Sequence, residues 1–335
     1  SWVLVGVGGA LATGLVNYFG IRFAAFAQTV AAGGLLLVGV AFFVPGVVSG
    51  DTANLVPYVT SWDGVLRVVI MTPFLFVGFD VIPQIAEDID IPLKAVGRII
   101  ILSIVMALGW YGLVQWTVGV SLPAEGLAAR ALPTADAMTA VYGSPWAGRV
   151  LVLGGLLGIV TCWNAFFIGA SRLLFAMARG GMLPPVFARL HPRHGSPVAV
   201  VAALTLVTAA APWVGRPALV WLVDAGALAT VVAYLLVAVS FLVIRRRHPG
   251  LPRPYRTPAP AVVGWLAVLT TGFFILLYLP GSPSALAWPE EWVIVLLWMG
   301  LGLGVARGMR RRVGAMTQGR QARLILGDYA KAVRL

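Results

Sequence analysis

Nine long apolar runs divide this chain, and they leave few folds open to it. They cover approximately 2–18, 24–48, 65–86, 97–120, 148–171, 198–214, 217–244, 261–280 and 291–306, with 198–214 the shortest. Each approaches or exceeds the roughly twenty residues that a bilayer crossing needs. Inside a bilayer every backbone N–H and C=O must find a partner within the protein, which leaves helices or closed barrels. A barrel would show short alternating segments rather than continuous apolar runs. Composition agrees, since hydrophobic residues make up 60% and charged residues 11%, against about a quarter charged in a soluble domain. The expectation is an all-α polytopic membrane protein with about nine transmembrane helices.

The net charge of +12 is a topology signal and gives no support to nucleic-acid binding. Sorted by the side of the nine spans on which they fall, 20 of the 24 basic residues share one face. These include Arg22, Lys94, Arg98, Arg172, Arg179, the run Arg245 to Arg247, and the residues from Arg307 to Arg334. Only Arg67, Arg130, Arg149 and Arg216 lie on the other face, together with Asp51, Asp63, Glu125, Asp136, Glu290 and Glu291. Excess Lys and Arg mark the cytoplasmic side. The expected protein is therefore multi-pass in the plasma (inner) membrane, with a cytoplasmic C-terminus and an N-terminus that begins outside. The chain opens inside an apolar run at Ser1-Trp2 with no initiator methionine, as a chain missing its beginning would.

The residues also argue against enzyme chemistry. The lone Cys162 can form neither an internal disulfide nor a multi-thiolate site. His191, His194 and His248 sit in loops beside prolines, and His191 and His194 have no acid or thiol close by in sequence to complete a metal site. Paired carboxylates, a Ser/His/Asp set and a phosphate-binding Gly-rich loop are absent as placed constellations. No enzyme activity, cofactor or metal is expected.

One apolar run is built to break. Residues 65–92 read VLRVVIMTPFLFVGFDVIPQIAEDIDIP, with Pro73, Gly78 and Pro83 inside the span and Asp80 two residues past the glycine. Proline removes a backbone donor and glycine weakens a helix. Irregular backbone at membrane depth is tolerated only where protein or a water-filled cavity covers it. Unwinding over Phe74 to Phe79 would free carbonyls for a ligand's ammonium group, while the amides opening the next half-helix favour anions. Phe74, Phe76 and Phe79 could cover an apolar side chain or stack on a cation. An ionisable residue at this depth, Asp80, is costly and usually functional. It could contact a ligand or ion, or cap the second half-helix. The competing reading of the whole segment is a proline-kinked helix packed in a core.

Three motifs carry a resemblance. FLFVGFDVIPQIAEDIDIP (74–92), ASRLLFAMARGGMLPPVFARLHPRHGSP (170–197) and RRRHPGLPRPYRTPAP (245–260) stand in an order and separation that resemble the amino acid–polyamine–organocation permeases. The resemblance covers nearly all of 1–306 and assigns the nine spans to helices four to twelve of that family. It implies a five-plus-five inverted-repeat, LeuT-like transporter fold lacking its first three helices. Residues 1–48 would be the last two helices of the first repeat. Residues 65–244 would be the second repeat, 261–306 two C-terminal helices, and 307–335 a basic cytoplasmic tail.

The function so implied is secondary active transport of amino acids or related organic cations such as polyamines. Alternating access would turn on the discontinuous helix at Phe74–Asp80, with Phe74, Phe76, Val77, Gly78, Phe79 and Asp80 as substrate-binding residues. Glu87 and Asp88 resemble the acidic pair of the family's inner gate, although the same residues also read as a solvated turn. The partners implied are a small amino acid or amine and the lipid bilayer, with a proton, a sodium ion or exchange without a coupling ion left open. Many proton-coupled relatives carry a lysine in the fifth helix. The matching region, Gln28 to Gly39, has none. The alternative reading is a non-transporting membrane subunit or a truncated permease fragment.

Overall fold

The computed structural model describes residues 2–59, 61–86, 91–282, 284–314, 317, 319, 320, 323 and 324. Among them every regular element is helical: α1 (Trp2–Tyr18), α2 (Ile21–Ser49), α3 (Trp62–Leu75), α4 (Val81–Gln84), α5 (Leu93–Ser121), α6 (Pro133–Tyr142), α7 (Pro145–Arg179), α8 (Val198–Ala210), α9 (Arg216–Arg247), α10 (Pro260–Leu277) and α11 (Glu290–Gly314), with short 3-10 turns between some of them. Each of the nine apolar runs is recovered in helix. Six helices are long and apolar enough to cross a membrane: α2, α5, α7, α9, α10 and α11. The Trp2–Tyr18 and Val198–Val214 segments are apolar but shorter. At 1.5 Å per residue, α1 with its 17 residues falls just short of a bilayer's hydrocarbon thickness. The remaining run is interrupted between α3 and α4.

Two compact units share the chain. One comprises Phe19–Asp90 and Val96–Gly169. Its apolar core joins Phe42 and Phe43 of α2, Val118 of α5, Leu122, and Ala137 and Met138 of α6. The Phe43 and Trp110 rings meet edge to face at 4.9 Å. Trp110 also lies directly over Gly39, where even a methyl group would collide with it. A small residue lets two apolar helices approach closely where hydrophobic burial cannot drive them together.

Within α2, Pro45 supplies no amide, so the carbonyl of Ala41 one turn earlier loses its usual donor. The Tyr142 hydroxyl, at the end of α6, donates to that carbonyl at 2.7 Å. This bond ties the short helix α6 to α2.

The other unit comprises Ser1–Tyr18, Ile91–Ala95 and Ala170–Leu335. Here α1 packs on α8, and α9 on both α10 and α11. Ser196 donates to the Tyr18 carbonyl at 2.7 Å, and the Tyr18 hydroxyl meets His191 Nε2 at 3.4 Å.

In both units apolar side chains crowd the outside. Leu37 is 75% exposed, and Leu153, Leu236 and Leu297 are also exposed. Water would not tolerate such a surface, whereas lipid is as apolar as leucine.

Glu291, the second residue of α11, is only 5% exposed. Its carboxylate accepts the Ala287 amide at 2.8 Å, which satisfies one of the donors left over at a helix start.

Candidate functional site

The interruption falls at residues 76–80, five consecutive turn residues between α3 and α4. Phe74 and Leu75 still belong to α3, so the helix continues past Pro73 before it ends. Proline's fixed φ is itself helical, and its cost falls on the preceding turn. Thr72 of that turn donates its hydroxyl to the Val68 carbonyl at 2.9 Å. The residue that cannot be helical is Gly78, with φ +127°. That backbone conformation is rarely open to any residue with a Cβ. Around Gly78 there is room: a Cβ built there meets nothing within 4 Å. Geometry rather than crowding demands glycine, and the space beside its Cα is open.

Neighbours hold both ends of the break. Tyr111 of α5 donates its hydroxyl to the Leu75 carbonyl at 2.8 Å, taking one of the acceptors that a helix end exposes. Its ring stands edge to face against Phe76, with centroids 5.6 Å apart. On the far side, the Asp80 carboxylate accepts the Gly78 amide at 3.0 Å and the Gln84 side-chain amide at 3.3 Å. Asp80 therefore turns back into the break. It occupies the N-cap position of α4, yet its side chain caps no amide of that helix. Backbone bonds complete the turn, from Val81 to Gly78 at 3.2 Å and from Ile82 to Phe79 at 3.3 Å.

Behind α4 lies α7. Val81 is buried, and Val81 and Gln84 pack directly against the backbone at Gly169, where a Cβ would strike the Gln84 oxygen. Phe76, Val77, Phe79 and Asp80 are all half-buried along the break.

The expected site residues thus fall out as follows. Phe76, Val77, Gly78, Phe79 and Asp80 come together in one turn. Phe74 lies in α3, with its side chain outside the described residues. Glu87 and Asp88 lie outside the described residues altogether. Three residues that position this turn, Tyr111, Gln84 and Gly169, escape sequence reasoning. Tyr111 and Gly169 are distant in the chain and sit in ordinary apolar runs. Gln84 gives a weak signal as an amide four residues after the acid of the break. Among the described residues no group of three or more His, Cys, Asp or Glu is placed to hold a metal ion.

A second polar contact lies in the same unit. Asn164 of α7 is buried and donates to the Ala24 carbonyl at 3.2 Å and to Gln28 Oε1 at 3.0 Å on α2. These bonds fix part of the α2–α7 packing, in a low dielectric where an unpaired amide would be costly.

Comparison with known proteins agrees with this architecture. The amino acid permease family matches residues 1–301. The branched-chain amino acid permease BcaP of Bacillus subtilis (strain 168) is 28% identical over 270 residues, 80% of this chain and 55% of its own length. Cationic amino acid transporter 4 of Homo sapiens is 30% identical over 254 residues, 75% of this chain and 38% of its own length. A methylthioribose transporter of Bacillus subtilis (strain 168) is 26% identical over 275 residues, 80% of this chain and 54% of its own length. The chain spans roughly half or less of the length of these relatives. They are transport proteins, not enzymes. With a family match over most of its residues and several membrane-length apolar helices, the chain is an integral membrane protein and belongs to the amino acid permease family, among the amino acid–polyamine–organocation permeases.

Proposed function

We propose that this chain is a secondary active transporter of amino acids or related organic cations, working by alternating access around the interrupted helix. The supporting observation is the break itself. Its two ends are held by Tyr111, Asp80 and Gln84, while the space at Gly78 stays open. Discontinuous helices of this kind offer backbone groups to polar substrates in secondary transporters. Phe74, Phe76, Val77, Gly78, Phe79 and Asp80 would form the substrate segment within a five-plus-five inverted repeat, with Glu87 and Asp88 at an inner gate. The protein would lie in the plasma membrane with its C-terminus in the cytoplasm, and proton or sodium would drive it.

Relatives named for branched-chain and cationic amino acids span very different side chains. A site built from backbone and aromatic groups is compatible with that range, because it reads the parts amino acids share.

Binding to the full chain in lipid nanodiscs tests the reading. Radiolabelled leucine, arginine and putrescine would serve as probes. At least one should bind saturably, and Gly78→Leu should weaken that binding about tenfold or more, the equivalent of about 1.4 kcal/mol. The variant should keep its helical content. Absence of saturable binding by all three probes, or unchanged binding in Gly78→Leu, would count against the substrate segment.

A further inference from the structure

The loop between α9 and α10 shapes an open cavity of about 510 Å³ whose lining includes Arg245, Arg253, Arg256 and Thr257. Three arginines line this space, and among the described residues no acidic side chain does. The ion pair between Arg130 and Asp136 lies elsewhere in the chain. Such a concentration of unneutralised charge is unfavourable unless something anionic relieves it.

The three arginines are held in different ways. Arg253 folds the loop around itself, donating from Nη1 to the Pro249 and Leu251 carbonyls at 2.8 and 3.0 Å and from Nη2 to the His248 carbonyl at 2.8 Å. Its charge is thereby fixed in the wall. Arg245 lies flat over the Phe241 ring at 3.7 Å and reaches Thr257 Oγ1 at 3.5 Å, which leaves most of its donors unused. It stands close enough to Arg253 for the two cations to repel. Arg256 is exposed. Planar guanidinium donors on a fixed frame suit the tetrahedral oxygens of phosphate better than they suit a solvated surface role.

Position narrows the source of that phosphate. The cavity lies where one membrane-length helix, Arg216–Arg247, ends and another, Pro260–Leu277, begins. That is headgroup depth. Basic pockets between spanning helices bind anionic lipid headgroups, and each Lys or Arg near the surface adds to the attraction.

We propose that Arg245, Arg253, Arg256 and Thr257 form a binding site for a phosphate-bearing anion at the membrane boundary, in the form of an anionic phospholipid headgroup. The bound phosphate bridges guanidinium groups that otherwise repel and pins the α9–α10 loop.

Native mass spectrometry of the full chain, exchanged between phosphatidylglycerol and phosphatidylcholine, tests the site. The chain should retain one phosphatidylglycerol about tenfold more strongly than phosphatidylcholine. Arg256→Gln, at an exposed position, should reduce that preference about fivefold, and Arg245→Gln/Arg256→Gln should abolish it. The direction and rough size of the loss on each substitution follow from the attraction of anionic lipid to basic residues. Arg310→Gln/Arg311→Gln on α11 removes as much charge outside the cavity and should leave the preference intact.

A calorimetric titration in phosphatidylcholine nanodiscs with inorganic phosphate separates the sources. Saturable phosphate binding lost in Arg256→Gln, without lipid preference, would assign the same site to free phosphate instead of a headgroup. Absence of both, equal loss in the α11 variant, or indifference to Arg256→Gln would overturn the proposal.

Discussion

Two tyrosines do the same work in the unit built on α2 and α5. Tyr142 answers the carbonyl that Pro45 orphans in α2, and Tyr111 answers the carbonyl left at the end of α3. Each is a hydroxyl supplied from another helix to a backbone acceptor that lacks a donor in its own helix. Tyr142→Phe removes only that hydroxyl and should lower stability by about 1 kcal/mol. Thermal unfolding in one fixed detergent would show it, and an unchanged midpoint would mean that Ala41 finds another donor. Gly78 presents the opposite case, a position defined by backbone alone. Gly78→Ala meets no neighbour but must hold φ near +127°. It should cost about 1–2 kcal/mol through strain, against a few tenths if the turn simply relaxes. The signal for Gly78 was legible in the sequence, as a glycine between two prolines in an apolar run. The tyrosines were not, because an aromatic residue in an apolar span looks the same whether or not its hydroxyl has found a carbonyl.

The element that decides the candidate site is α4, a helix of 4 residues that cannot stand by itself. It is held by Asp80 on one side and by the α7 backbone at Gly169 on the other. Gly169→Leu should therefore drive α4 away and loosen the turn. Amide hydrogen exchange over 76–86 should rise while exchange over 97–120 stays as it was. Gly155→Leu makes a matched comparison on the same helix, since a Cβ there meets nothing within 4 Å. It should leave exchange in 76–86 unchanged, and equal effects from the two variants would remove the special role given to Gly169. That α7 is rich in small residues is visible in the sequence. Which of them faces α4 is not, because small residues recur around much of its circumference.

At the scale of the whole molecule, the asymmetry of basic residues predicts sidedness. In a Cys162→Ala background, Arg130→Cys should react with an impermeant maleimide from outside intact cells, and Gly250→Cys only after the cytoplasmic face is exposed. The reverse pattern would invert the assignment. The sequence by itself determined the membrane class, the nine helical runs, the place of the break to within two residues, and the family. All of these depend on local properties, such as apolar length, the lost donor of proline and the freedom of glycine, which do not need the rest of the chain. Only the tertiary structure decided what holds the break. It turned the Asp80 carboxylate back onto the Gly78 amide instead of onto a backbone amide of α4, brought Tyr111 to Leu75 across 36 positions of sequence, and buried Glu291 at the start of α11. The physical reason is the same in each case. A broken helix in an apolar medium must find partners for its freed backbone groups. Those partners come from whichever helices pack beside it, and only the folded arrangement specifies which helices those are.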